Sequence, residues 1–257
     1  TILHASSVLF FMCSWNALND IYDFEIDFVN RPDRPLPSGS ISLSEAKVAT
    51  AITMISSILS IALCYWLISE SSPSEGLDVS EWYPSLIIWI TALILLINYE
   101  FPFGLRLKDK GLPGNISISI SVGLVVVFGA SAVFEPFSEK AWSLFFVGIF
   151  YNTSREIIKD VQDMEGDKGR NTLAMRIGSE NARTVAWVMS ILALASVLLP
   201  FAIGIFPPLH VVLVIPAVMT LMMVKGRIII GEDASASSLL KKSMLLCLAA
   251  LLTSSLI

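Results

Sequence analysis

The stretch Asn16-Ala-Leu-Asn-Asp-Ile-Tyr-Asp-Phe-Glu-Ile-Asp27, leading into Arg31-Pro-Asp-Arg-Pro-Leu-Pro-Ser-Gly39, decides how this chain is read. At about 100° per helical residue, Asn16, Asp20, Asp23 and Asp27 fall on one stripe of a helix whose earlier turns are almost wholly apolar. Like charges one turn apart repel, and carboxylates beside an apolar segment lose hydration. Such a stripe is costly unless cations lie between its members. The pattern recurs: Glu156, Asp160, Asp163 and Asp167 repeat the same 4-3-4 spacing in Arg155-Glu-Ile-Ile-Lys-Asp-Val-Gln-Asp-Met-Glu-Gly-Asp-Lys168. One acidic stripe could be a solvated helix end; two with matching spacing argue for one shared site. Hard oxygen ligands with no His or Cys nearby suit Mg²⁺ better than Zn²⁺, and Mg²⁺ held by carboxylates commonly carries substrate phosphates. The expected substrate is therefore phosphorylated or diphosphorylated.

Around these stripes the chain is strongly apolar. Its 257 residues are 54% hydrophobic and 15% charged, with mean hydropathy +0.73. That composition excludes an ordinary soluble domain and predicts an all-α, polytopic transmembrane bundle forming one domain over residues 1–257. Cys13, Cys64 and Cys247 lie inside apolar runs, at spacings unlike a metal knuckle, and read as buried small hydrophobes. The net charge of −5 says little on its own, since in a membrane protein the placement of Lys and Arg matters more than their sum, and neither a nucleic-acid nor a protein partner is implied. The chain opens inside an apolar segment at Thr1-Ile-Leu-His-Ala5, which predicts a missing preceding stretch.

About eight spans are expected. The first helix covers 2–28, then a proline-rich loop over 29–41 holds Arg31 and Arg34, and Ser42 or Ser44 caps a second helix over 44–68. An acidic loop over 69–83 carries Glu70, Glu75, Asp78 and Glu81. The third helix covers 84–99, and the following loop is basic, with Arg106, Lys108 and Lys110. Helices over 115–133, 140–165, 180–205, 209–230 (kinked at Pro216) and 238–257 complete the count. With that alternation, all of the seventeen Lys and Arg residues except Lys140 fall on one side of the membrane. The positive-inside rule makes that side cytoplasmic. Both acidic stripes then face the cytoplasm, because an even number of crossings separates them.

Arg31, Arg34, Arg106, Lys108, Lys110, Lys159 and Lys168 could close over a Mg²⁺-bound diphosphate, with an apolar chamber beneath for a lipid tail. His4 and His210 map to the opposite side, and no Gly-rich phosphate loop or nucleophile elbow is present. A diphosphate leaving without a protein nucleophile must leave a carbon that bears positive charge, and an allylic prenyl carbon fits. Tyr22, Tyr99 and Tyr151 lie near the stripes and could stabilise that cation through their π faces, although core packing is the ordinary role for each.

These residues resemble the UbiA superfamily of intramembrane prenyltransferases. Asn19-Asp-Ile-Tyr-Asp-Phe-Glu-Ile-Asp27 is similar to its first signature, Asn-Asp-x-x-Asp-x-x-x-Asp, and Arg34-Pro-Leu-Pro-Ser-Gly39 to the segment that follows. Asp160-Val-Gln-Asp-Met-Glu-Gly-Asp167 resembles the second signature, and Gly114-Asn115 is also similar to family members. The resemblance implies nine helical spans, two Mg²⁺ ions bridging the diphosphate, and transfer of the prenyl group to a lipophilic acceptor. By that alignment the family's first span is the one not found here. Arg155-Glu-Ile-Ile-Lys-Asp160 and Glu165-Gly-Asp-Lys168 look most like the archaeal members that join a geranylgeranyl group from its diphosphate to the hydroxyl of geranylgeranylglyceryl phosphate, an ether-lipid reaction at the cell membrane. One departure stands out. The family often places Lys closely after Tyr at the end of the third helix, whereas Tyr99 is followed by Glu100-Phe-Pro-Phe, with Arg106 and Lys108 farther on. The alternatives are an aromatic quinone-precursor or chlorophyll-type acceptor and, from another class, a divalent cation transporter.

Overall fold

A computed structural model describes residues 1–75 and 78–257, with the side chains of 72–75 excepted. Its long helices are α1 (Ile2–Tyr22), α3 (Leu43–Glu75), α4 (Tyr83–Glu100), α5 (Leu112–Ser131), α6 (Glu139–Gln162), α8 (Ser179–Ala202), α9 (Ile215–Ile229) and α10 (Asp233–Leu256). The short helices α2 (Phe24–Asn30) and α7 (Leu173–Ile177) sit in the connections, and there is no strand among the described residues. Among the described residues six segments are long and apolar enough to cross a membrane: the ones built on α3, α4, α5, α8, α9 and α10. The other two long helices, α1 and α6, are made less apolar by the polar residues they carry inward: His4, Ser7 and Ser14 on α1, and Asn152, Thr153 and Ser154 on α6.

Several expectations from the sequence change in the structure. The first helix does not run unbroken to residue 28; it stops at Tyr22, Asp23 leaves helical geometry at φ −94° and ψ 11°, and α2 starts at Phe24. Helix α3 runs on to Glu75, into the expected acidic loop, of which residues 76–77 and the Glu75 side chain lie outside the described residues. Before α9 the segment Pro208–Val214 is a 3₁₀ turn, so Pro216 stands in the first turn of α9 and is not a kink. Cys13 is exposed, whereas Cys64 and Cys247 are buried. Ser42 is the residue that caps α3, in a reciprocal box: its backbone N–H and hydroxyl donate to Glu45 Oε2 at 2.8 and 2.7 Å, and the Glu45 N–H donates to Ser42 Oγ.

Small residues set how closely the helices approach. Along α8, Ala182, Ala186, Ser190, Ala193 and Val197 recur at three- and four-residue spacing, and all are fully buried. This stripe meets α6, where Ser154 Oγ donates to the Ala186 carbonyl and lies 2.8 Å from Ser190 Oγ. In a bilayer, where apolar surface gains little from helix contact, such packing and interhelical hydrogen bonding hold helices together. Between α5 and α6 the close points are Gly123 and Gly148: a Cβ on Gly123 would lie 2.8 Å from a Phe145 ring carbon. Tyr151 is buried in this core, its hydroxyl 2.8 Å from Ser243 Oγ, which in turn donates to the Ala217 carbonyl, so that α6, α9 and α10 are tied together. Away from the stripes, His4 lies 3.0 Å from Ser85 Oγ and 3.3 Å from Cys64 Sγ, joining α1, α3 and α4.

Candidate active site

The two acidic stripes meet in a polar cavity of about 100 Å³. Its walls bring Asp23 and Asp27 from the first stripe, with Asn19 beside them, together with Glu156, Asp160, Asp163 and Asp167 from the second. Arg31, Arg34, Lys108, Lys159 and Arg170 line the same space. The stripes are joined directly through Asn30, whose Nδ2 donates to the Asp163 carbonyl at 3.1 Å and whose Oδ1 accepts from the Gly166 N–H at 3.0 Å. A side chain on Gly166 would put a Cβ 2.5 Å from the Asn30 amide, so only glycine allows the turn after α6 to close on α2.

The break at Asp23 has a geometric effect on the first stripe. In a straight helix the α-carbons of Asp20 and Asp27 would stand about 10.5 Å apart along the axis. Here a single nitrogen, Arg34 Nη1, donates to Asp20 Oδ1 at 2.8 Å and to Asp27 Oδ2 at 2.6 Å. Asp23 is held by Asn19 Nδ2 at 3.1 Å and by Lys108 Nζ at 2.9 Å, with Arg170 Nη1 at 3.8 Å. Arg31 pairs with Asp163 across the two stripes.

The second stripe is seated differently. Glu156 accepts from Arg155 and Lys159 of its own helix, at 2.9 and 2.8 Å, and Asp160 accepts from Asn115 Nδ2 at 3.0 Å. Asp167 pairs with Arg170 at 3.1 Å, and Arg170 Nε donates to Asp109 Oδ1 at 2.8 Å. Burial pushes the Asp167 carboxyl up from its ordinary value, against the opposing pull of Arg170. Burial would lower Arg170, but the surrounding Asp23, Asp109 and Asp167 outweigh it and hold the guanidinium protonated.

Lys108 and Asn115 reach the cavity because the basic loop folds tightly onto α5. Arg106 adopts φ 47°, the 3₁₀ turn Leu107–Asp109 follows, and a Cβ on Gly114 would lie 2.2 Å from the Leu107 carbonyl oxygen. That close approach is why Gly114 precedes Asn115.

Not every residue singled out in the sequence is at this cavity. Asn16 is exposed and away from it; Asn19, one turn on in the same helix, occupies the inward position and donates to Asp23, so the amide at the cavity is the one nearer the helix end. Asp20 is at the rim, held by Arg34. Arg106 pairs with Asp109 at 2.5 Å outside the cavity, and Lys110 and Lys168 are exposed. Among the tyrosines only Tyr99 lines the cavity. Tyr22 is exposed and packs edge-on against Phe101, with Lys108 Nζ 5.9 Å from its ring centre, and Tyr151 belongs to the core. Asn30, Asn115 and Arg170 face the cavity without having been counted as site residues; only Asn115, within the quoted Gly114-Asn115 pair, carried any signal.

The donors suit a hard divalent cation. All are oxygens, and the Oδ1 of cavity-lining Asn115 is buried without a hydrogen-bond partner. Their present spacing is set by the intervening Arg and Lys side chains, and no group of three His, Cys, Asp or Glu is gathered tightly enough to hold an ion among the described residues.

Two to three turns deeper along α1, α5 and α6, and against α10, lies an apolar cavity of about 230 Å³ lined by Met12, Gly123, Val147, Gly148, Met244 and Leu248. A charged cavity with an apolar one two to three turns deeper, within a bundle of long helices, defines the class: a helical intramembrane protein with a polar site at one end of its bundle.

Comparison with known proteins makes the class specific. Residues 1–248 match the UbiA prenyltransferase family. The chain is 32% identical to the digeranylgeranylglyceryl phosphate synthase of Methanopyrus kandleri over 244 residues, covering 93% of this chain and 81% of that one. It is 32% identical to the enzyme of the same name from Methanothermobacter thermautotrophicus, covering 93% and 78%. A solved structure of a digeranylgeranylglyceryl phosphate synthase superposes with TM-score 0.67 at 28% identity, over 98% of this chain and 84% of that one. A UbiA homologue from Aeropyrum pernix K1 shares the fold, with TM-score 0.71 at 18% identity, over 98% and 88%. The chain belongs to the UbiA prenyltransferase family and is a multi-pass membrane prenyltransferase.

Proposed function

We propose that the chain transfers a geranylgeranyl group from geranylgeranyl diphosphate to the hydroxyl of geranylgeranylglyceryl phosphate, forming an ether bond in archaeal lipid synthesis. The observation that carries this reading is the meeting of both acidic stripes with five cationic side chains in one cavity above an apolar one. The names of the relatives support the acceptor. Asp23, Asp27, Asp160, Asp163, Asp167 and the Asn115 oxygen are the ligands suited to Mg²⁺, two ions in the family's pattern. When bound, Mg²⁺ would neutralise the diphosphate and make it a better leaving group.

The protein's own groups have separate tasks. Arg31, Arg34, Lys108 and Arg170 would bind the phosphate oxygens and take up the charge that grows on them as the C1–O bond breaks, its electron pair going to the diphosphate. Tyr99, at the cavity wall, would present its π face to the allylic cation. The acceptor oxygen then bonds to C1 and loses its proton, with the ionised cavity carboxylates as available acceptors. The apolar cavity between α1, α5, α6 and α10 would hold the isoprenoid tail. The cation-rich loops support a cavity that faces the cytoplasm.

The test uses the protein in liposomes with labelled geranylgeranyl diphosphate and Mg²⁺. Product formed with geranylgeranylglyceryl phosphate, and lost with EDTA, is expected. Transfer only to an aromatic acid would keep the chemistry and replace the acceptor. No transfer to either would defeat the proposal.

A further inference from the structure

At the edge of the cavity stands an ion pair that the roles above leave unexplained. Glu100, the last residue of α4, pairs with Lys108 of the basic loop. Their side chains are 0% and 2% exposed, and Lys108 Nζ donates at the same time to Asp23 Oδ1 at 2.9 Å. Lys108 lines the cavity, whereas Glu100 stands behind it, away from the lining. The other carboxylate oxygen of Glu100, Oε2, is buried with no hydrogen-bond partner.

Stability does not account for such a pair. Taking two charges out of water usually costs as much as their attraction returns, and an apolar pair of similar volume generally serves the fold as well. Attraction for the substrate does not account for Glu100 either, since a carboxylate beside an anion site opposes anion binding. What Glu100 does supply is a fixed point. Lysine is a point charge on a flexible four-carbon stem. Asp23, its other partner, is shared with Asn19 and stands 3.8 Å from Arg170. A cation bound at Asp23 would compete with Lys108 for the same oxygen, leaving Glu100 as the lysine's remaining anchor.

We infer that Glu100 is a positioning residue that tethers the Lys108 ammonium at the cavity wall, ready to bind the diphosphate when Asp23 is engaged elsewhere. The inference rests on the reading of the cavity as a diphosphate site. It also explains the unusual sequence here: with Phe101-Pro-Phe after Tyr99 and no lysine close by, the cation comes from farther along the loop and is held by a carboxylate at the helix end.

The experiment is a double-mutant cycle on the full chain in detergent. It measures equilibrium binding of geranylgeranyl S-thiolodiphosphate with Mg²⁺, with KM, kcat and thermal midpoint for each variant. Losing a charge-assisted hydrogen bond at this site should weaken binding by about tenfold in Glu100→Gln. The effect should appear in KM more than in kcat. Lys108→Met should be weakened at least as much, and the double variant should match Lys108→Met, because a tether with nothing to hold has no effect. Unchanged or tighter binding in Glu100→Gln, with Lys108→Met weakened, overturns the tether and leaves the cavity reading standing. Unchanged binding in Lys108→Met overturns both. If Glu100→Gln alone does not fold, the double variant decides, since it buries no unpaired charge: equality with Lys108→Met supports the tether, and weaker binding than Lys108→Met overturns it.

Discussion

The two acidic stripes share a spacing and differ in almost everything else. The first is split by the break at Asp23 into the end of α1 and the short α2, and its carboxylates are held by cations arriving from loops: Arg34 for Asp20 and Asp27, Lys108 for Asp23. The second stays on the continuous α6 as far as Gln162, and Glu156 is held by Arg155 and Lys159 on that same helix. Each stripe nevertheless ends in a carboxylate buried against an arginine, Asp27 against Arg34 and Asp167 against Arg170. Equal spacing therefore specifies which face carries charge, and the surrounding loops decide how that charge is used. The cations that hold the first stripe come wholly from loops, whereas in the second Glu156 is supported by its own helix and Asp160, Asp163 and Asp167 are held by Asn115, Arg31 and Arg170 from other segments.

The largest expected effects come from removing the carboxylates on which the two stripes converge. Asp23→Ala leaves Lys108 with Glu100 alone, and Asp163→Ala frees Arg31, the direct ionic link between the stripes. Either substitution should reduce kcat/KM by about a thousandfold or more, as expected where a preorganised charged site loses a central member. Near wild-type turnover in one variant and not the other would show that a single stripe suffices.

Next in size is the junction. Gly166→Ala would place a Cβ 2.5 Å from the Asn30 amide, which is fixed by two hydrogen bonds and cannot swing aside. Overpacking of this kind costs about 1–3 kcal/mol. A displacement near 1 Å of one stripe against the other should lower kcat by about a hundredfold. Measuring the thermal midpoint with kcat separates the two effects: a lower midpoint with unchanged kcat would mean that the stripes need not be held in register.

Arg34→Ala tests the dependence of the first stripe on its loop. The guanidinium is one-third exposed, so its contribution is modest, and KM for the prenyl diphosphate should rise by about tenfold with kcat less affected. Lys159→Ala on the second stripe should have a smaller effect, because Arg155 still holds Glu156. The reverse order would contradict the contrast between loop-held and helix-held charge.

How much of this was legible in the sequence follows from the same contrast. Periodicity and composition sufficed to find eight long helices and the two segments that carry the acidic stripes, because these depend on local spacing and on the apolarity of each segment. Where the loops carry the answer, local reading fails. Nothing near Arg106 announces a left-handed residue that turns Arg106 outward and Lys108 inward. Arg170 lies three residues beyond the second stripe, just after Gly169, and Asn30 looks like a helix end, yet both face the cavity through contacts with residues far along the chain. Tyr151 sits about one and a half turns before Glu156 and points at Ser243, since it faces α10.

The smallest effect separates the two asparagines at the end of α1. Ideal helix geometry puts Asn16 on the stripe; the structure leaves Asn16 exposed and turns Asn19 inward, with its Nδ2 on Asp23 Oδ2 at 3.1 Å. Asn16→Ala should then leave kcat, KM and the thermal midpoint unchanged within error, as for an exposed helix position. Asn19→Ala removes one of the groups that orient Asp23 and should lower kcat/KM by about tenfold, the value of one hydrogen bond to a charged group. If both asparagines prove silent, Lys108 alone orients Asp23. If Asn16 proves the sensitive one, it and not Asn19 is the amide that serves the first stripe.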